Sequence, residues 1–315
     1  MPSFSASAPG KIILFGEHAV VYGQPAIAVP VTQVRATATV TPEIKGDSGN
    51  VRIQAPNVDL DTRLDELDLD HPLAAAIHGV TTSPGISHIP SCTLRVTSTI
   101  PVASGLGSGA AVSVAVIRAL AGFLGRPLSD KQVSAIAFEV EKIHHGTPSG
   151  IDNTMVTYAR PVYFIKEQPI ETFSILKPFT IIIGDTGIAS PTKETVGDVR
   201  MSWQADPRRY EALFAAVGSI TKSARQAIES GHPQRLGPLM DENHELLQEM
   251  GVSSPELDQL VSAARAAGAL GAKLSGGGRG GNMIALVPPT RAGDISQALH
   301  KKGATKTIVT EISSQ

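Results

Sequence analysis

The sequence predicts a mixed α/β chain folded into two lobes, and three observations carry that expectation. At 315 residues and 42% hydrophobic composition, the chain can bury one large core or two smaller ones, and two is the expected number at this length. Apolar or β-branched strand segments interleave with helical ones over the first half. After the Lys177-Pro178 break an apolar strand is followed by a long helical stretch, and strands return near the end. The boundary is set at Lys177 to Phe179, giving lobes 1–178 and 179–315.

The run Ile12 to Phe15 reads as a buried strand, and Ala36 to Val40 and Thr93 to Thr99 alternate like strands. Val58 to Ile89 is acidic, then punctuated by Pro and Gly, and is expected to hold one short helix among loops. Ala110 to Leu124 is rich in Ala, Val and Leu and reads as a buried helix. Ser129 is an N-cap for a second helix ending near Gly146. Asn153 to Tyr158 and Pro161 to Ile165 read as extended, and Phe179 to Gly184 as an apolar strand. Pro191 to Ala267 is mostly helical by spacing. Strands are expected at Ala272 to Ser275, Asn282 to Val287 and Lys306 to Ile312, with a helix between the last two.

A formal net charge of -2 gives no electrostatic footprint for nucleic acid or an anionic membrane. Cys92 is the single cysteine, which excludes an internal disulfide framework and a cysteine-rich metal site and fits a reducing cytoplasm. No signal peptide and no run of roughly 20 apolar residues is seen. His144 and His145 are adjacent, so on a helix they point apart and do not suit one metal.

Three clusters carry chemistry. In PGKIILFGEHAVVYG (Pro9 to Gly23), Lys11, Glu17 and His18 flank one short strand, which suggests a site for a charged ligand. In PVASGLGSGAA (Pro101 to Ala111), Gly105, Gly107 and Gly109 permit tight turning and close approach to a ligand. The helix that follows aims its unpaired N–H groups at that loop, an arrangement that binds phosphate. The loop holds no lysine or arginine, so backbone donors and a metal would carry the anion. It is neither a Walker A loop nor a Rossmann fingerprint. The third cluster, GAKLSGGGRGGNM (Gly271 to Met283), has five glycines in the six residues Gly276 to Gly281, more than a tight hairpin needs, which favours a loop closing over a ligand. Between the second and third, EKIHHGTPSGIDN offers Glu141 and Asp152, a metal-binding carboxylate and a base for phosphoryl transfer.

These segments, in this order, resemble the GHMP small-molecule kinase superfamily, and GEHAVVYG resembles its mevalonate kinase branch. The resemblance implies an α/β (α+β) fold of two lobes, the N-terminal one ribosomal-protein-like and the C-terminal one ferredoxin-like, with ATP and substrate in the cleft between them. It implies that Pro101, Val102, Ala103, Ser104, Gly105, Leu106, Gly107, Ser108, Gly109, Ala110 and Ala111 wrap the ATP phosphates. Ser108 and Glu141 would hold Mg2+, Asp152 would be the catalytic aspartate, and Lys11, Glu17 and His18 would sit at the substrate and phosphate end. Thr192, in SPTKETV, would line the substrate site. Two departures stand out. Gly109 replaces the second serine of the family loop, its role passing to Ser108 or to water, and Arg279 interrupts the third glycine motif, reaching either phosphate or solvent.

The implied reaction transfers the γ-phosphoryl group of ATP to the 5-hydroxyl of (R)-mevalonate, a step of isoprenoid biosynthesis. Charge is spread over the moving group, so the alcohol proton leaves late and Asp152 can accept it. Lys11 beside Asp152 would keep that carboxylate ionised and stabilise the nucleophile oxygen. The alternatives are another kinase of the superfamily, acting on phosphomevalonate or on the 3-hydroxyl of mevalonate, a decarboxylase, or a binding homologue. Intact Lys11, Asp152 and loop glycines stand against the last. A cytoplasmic homodimer without membrane or nucleic-acid partners completes the expectation.

Overall fold

The computed structural model describes residues 2–43, 49–82, 88–101, 105–145, 148 and 150–313, without the side chains of His144 and His145. It divides into two compact units. The first comprises 1–10, 34–102 and 107–159, and the second 11–33, 103–106 and 160–315. Two long strands, β1 (Phe4–Phe15) and β2 (Ala26–Pro42), contribute their residues to both units and pair with each other.

In the first unit, β3 (Val51–Ala55) and β4 (Leu60–Arg63) form an antiparallel pair, and α1 (Pro72–Thr81) follows. Strand β5 (Cys92–Ser98) lies parallel to β3 and antiparallel to residues 36–42 of β2. Three helices complete the unit: α2 (Ser108–Phe123), α3 (Asp130–His145) and α4 (Ile151–Tyr158). Buried Val114, Ala115, Ile117 and Leu120 make α2 a core helix. Ser129 caps α3 with a partner: its N–H and hydroxyl both bond Gln132 Oε1, at 3.0 and 2.7 Å.

The stretch Asn153 to Tyr158, expected to be extended, is helical as α4. Its β-branched Thr154, Val156 and Thr157 favour a strand by propensity, but all three are buried along with Ile151, Asn153 and Met155. A short segment buried on nearly every side shows neither period, and packing decides its state.

In the second unit, β6 (Val162–Phe164) pairs with residues 26–28 of β2 and with the two-residue β7 (Glu171–Thr172). Strand β8 (Phe179–Asp185) opens a four-stranded antiparallel sheet. Four helices follow, α5 (Thr192–Ala205), α6 (Pro207–Glu229), α7 (Leu236–Glu249) and α8 (Pro255–Ala266), then β9 (Gly271–Ser275), β10 (Asn282–Val287), α9 (Ala292–Lys301) and β11 (Lys306–Ile312). The strand order β11-β8-β10-β9 is the split βαβ arrangement that the resemblance implies for the C-terminal lobe. Leu213, Phe214, Val217, Leu247, Leu260 and Leu274 lie in its buried core. Among the described residues no helix is long and apolar enough to cross a membrane.

Candidate active site

The N-terminus of α2, where a phosphate site is expected, belongs to the first unit, and Gly105 before it to the second. Val102, Ala103 and Ser104 lie outside the described residues, as do Thr147 and Ser149 of the turn before Asp152. Gly105 and Gly107 have φ of 72° and 70°, a left-handed conformation that disfavours a side chain. Gly107 is the N-cap of α2 and offers no side-chain acceptor. The first N–H groups of α2 therefore have no side-chain cap, the condition under which a helix end binds an anion. Ala110 and Ala111 are buried and seat this first turn.

Gly109 has an ordinary right-handed backbone, and a Cβ built on it would stand 3.6 Å from Glu141 Oε1. The buried carboxylate of Glu141, on α3, thus lies at the first turn of α2. Asp152 sits in the first turn of α4, entered through Gly150 at φ 86° and likewise without a side-chain cap. Next to it, buried Asn153 donates to Ser134 Oγ and carbonyl oxygen at 3.0 and 3.1 Å, which ties α4 to α3.

A buried carboxylate beside this helix end would repel a bare phosphate placed there. A divalent cation removes that conflict, and Ser108 Oγ with Glu141 makes a donor set suited to Mg2+, which takes few protein ligands and fills its shell from phosphate and water. Among the described residues no three His, Cys, Asp or Glu side chains cluster as a dedicated metal cage.

In the second unit, Lys11 is buried in β1 and its N–H donates to Leu106 O at 2.9 Å. Beyond β1, Gly16 turns at φ 98°, where any Cβ would meet Pro25 O at 2.4 Å. Glu17 follows and ion-pairs with Lys273 of β9, and both side chains are fully buried. Glu17 Oε2 has no hydrogen-bond partner among the described residues, so the carboxylate keeps an open acceptor. His18 holds φ 60° and ψ -51°, unusual for a residue with a side chain. Its Nε2 lies 3.0 Å from Gly277 O. A carbonyl only accepts, so Nε2 carries the proton and Nδ1 is left as the acceptor. Burial lowers the His18 pKa to about 4, so the ring is neutral at ordinary pH.

The third glycine cluster connects the antiparallel hairpin β9–β10, with Ser275 opposite Asn282. Gly276, Gly278, Gly280 and Gly281 all have positive φ, and a Cβ on Gly277 would stand 2.4 Å from Thr192 Oγ1. All five glycines thus have a reason inside the fold. Thr192 starts α5 against this loop, and Ser190 Oγ donates to Gly278 O at 2.7 Å. The side chain of Arg279 is 36% exposed and tied into the fold. Its guanidinium pairs with Asp198 of α5 and donates to Gly251 O at 3.3 Å, while its N–H donates to Val252 O at 2.9 Å.

Lys273 escaped the sequence reading. The available signal was a lone lysine between Ala272 and Leu274 in a short apolar strand, whose counter-charge lay far away in Glu17. His244 also went unnoticed. It is buried on α7, accepts from Leu274 N–H through Nδ1 at 3.3 Å, and lies 3.1 Å from Asp258 Oδ1 through Nε2.

Family models for the GHMP kinases N terminal domain and the GHMP kinases C terminal match residues 73–160 and 224–305. The mevalonate kinase of Pyrococcus furiosus is 36% identical, the match spanning 98% of this chain and 96% of that protein. That of Pyrococcus horikoshii is 38% identical over 90% of this chain and 88% of that protein. Among solved structures, the L. major mevalonate kinase in complex with R-mevalonate superposes with a TM-score of 0.84 at 29% identity, covering 99% of this chain and 96% of that one. The chain belongs to the mevalonate kinase family of the GHMP kinases.

Proposed function

We infer that this chain transfers the γ-phosphoryl group of ATP to the 5-hydroxyl of (R)-mevalonate. One observation carries the reading of the site: an uncapped helix end after two left-handed glycines, with the buried carboxylate of Glu141 beside it. It is a phosphate site that calls for a divalent cation. In this reading Ser108 and Glu141 would hold Mg2+, which would neutralise charge on the phosphates. The N–H groups of α2 hold the phosphate oxygens. Asp152 takes the hydroxyl proton late in the transfer, and Lys11 supplies positive charge to the reacting oxygens. His18 would offer Nδ1 and Thr192 its hydroxyl to the substrate, with the fully buried Glu17 carboxylate behind His18.

A phosphorylated acceptor would need added cations, whereas Lys273 is consumed by Glu17 and Arg279 by Asp198. That favours mevalonate over its 5-phosphate. The lobes 1–178 and 179–315 remain part of the proposal, supported by family-model matches that fall one on each side. So do a cytoplasmic location, favoured by a single buried cysteine, and a homodimer, which rests on family resemblance alone.

The test is ADP release with mevalonate, its 5-phosphate, homoserine and galactose as acceptors. Mevalonate should be turned over fastest. Asp152→Asn should lose on the order of 10²–10⁴-fold in turnover with ATP binding nearly intact. A mutant rate within threefold of wild type would sink the assignment of Asp152.

A further inference from the structure

Lys273 is fully buried within β9, flanked by buried Ala272 and Leu274. Burial pushes its ammonium pKa down and the Glu17 carboxylate opposes that shift. Nζ also donates to Leu274 O at 2.6 Å and lies 5.9 Å from the Phe15 ring centroid. A buried ion pair is a poor source of stability, because apolar residues of the same volume usually serve as well. What the pair does supply is direction. Glu17 lies between the left-handed turn at Gly16 and the strained backbone of His18. Strain of that kind persists only where the surroundings hold it on more than one side. Here one hold is Lys273 on Glu17, and the other is Gly277 O on the His18 ring.

We propose that Lys273 is a positioning residue which, through Glu17, fixes the backbone and ring of His18 on the substrate side of the site. The effect on substrate rests on the reading of the chain as a mevalonate kinase, whereas the hold on His18 does not. Lys273 would touch neither substrate nor nucleotide.

The test uses Lys273→Met, close in volume, and the neutral double variant Lys273→Met with Glu17→Gln. The full chain is used, and thermal melting is recorded beside two readouts. The first is the KM for mevalonate against the KM for ATP. The second is the NMR signal of the His18 Nε2–H proton at pH 8 in the absence of substrate, because the Lys273 charge alone would shift a titration of the ring. In wild type this proton should be seen, held on Gly277 O.

In Lys273→Met, which leaves Glu17 charged and unpaired, the melting temperature should fall. The mevalonate KM should rise at least tenfold with the ATP KM within twofold, and the His18 Nε2–H signal should be lost. The double variant should recover the melting temperature but neither of the other two properties. Full recovery of all three in the double variant would overturn the proposal, since the pair would then be packing only. A double variant that cannot fold overturns it as well, because the pair would then be needed for the fold itself. If wild type proves inactive on mevalonate, the functional reading fails, while the His18 signals still decide whether Lys273 holds the ring.

Discussion

Gly109 isolates a single-residue question. The family loop carries serine there, and a glycine could signal either a backbone need or a pocket rebuilt without the hydroxyl. Its neighbours Gly105 and Gly107 take positive φ, but Gly109 does not. Its position is the first turn of α2, and the added Cβ would meet Glu141 Oε1 at 3.6 Å, an ordinary contact. Gly109→Ser is therefore expected to fold normally, with a small gain of about 0.5 kcal/mol from helix propensity. Its hydroxyl would stand beside the Glu141 carboxylate at the phosphate end of α2. MgATP should bind as tightly as in wild type or more tightly, by no more than about 1.5–3 kcal/mol for one charge-assisted bond. Calorimetric titration with MgATP, run beside thermal melting, checks both halves. A marked drop in melting temperature would show that space or backbone forbids the side chain. Weaker MgATP binding at unchanged stability would show that the site depends on its absence.

At the scale of elements, the β9–β10 hairpin is held by two neutral histidines. His18 donates to Gly277 O in its connecting loop, and His244 accepts from Leu274 N–H in β9. Burial lowers both pKa values from 6.5 to about 4. Above pH 6.5 the rings are neutral folded or unfolded, so they add no pH dependence. Below it the unfolded chain takes up protons that the fold refuses, and stability falls as pH drops toward 4. Each histidine accounts for at most about 3 kcal/mol across that window. The urea midpoint should hold from pH 8 to 6.5 and decline steeply below, and His244→Gln should flatten the decline. An identical midpoint at pH 7 and pH 5 would contradict neutral buried rings. The same hairpin shows where sequence reading stops. Its strands were legible as short apolar runs, and so was its glycine excess. The cause was not, because it lies in distant partners: Thr192 crowding Gly277, and Val252 O standing 1.9 Å from where a Gly278 Cβ would be. Lys273 was hidden for the same reason, its partner being 256 residues away. The helix α4 was hidden because burial on nearly all sides removes periodicity. By contrast, the turn into α2 was legible because its glycine signal is local, whereas the roles expected of Asp152 and Glu141 came only from the family resemblance.

For the whole molecule, the consequence is that the C-terminal half of the chain is not a self-sufficient folding unit. Residues 11–33 belong to the second unit together with 160–315. They contribute more than sheet edges. Ala19 is part of the unit's buried core. Tyr22 stacks on Phe214 with ring centroids 4.0 Å apart and planes 11° apart, and packs at 5.3 Å against Trp203. Glu17 neutralises Lys273 in the interior. A fragment of residues 160–315 would expose the Phe214 face and leave a buried lysine unpaired. Breaking a buried pair costs about 3–5 kcal/mol, a large share of the roughly 5–15 kcal/mol that stabilises a typical domain. The fragment is therefore expected to lack a cooperative melting transition and dispersed amide signals. Adding a separate peptide of residues 11–33 should restore both in proportion to its occupancy, and the Glu17→Gln version of that peptide should restore them less well. Cooperative melting of 160–315 alone, at a temperature near that of the full chain, would show that the N-terminal segment is merely laid on a finished fold. Dependence on the peptide would show that the second unit closes only after chain ends some 250 residues apart have met, as the separation between Glu17 and Lys273 requires.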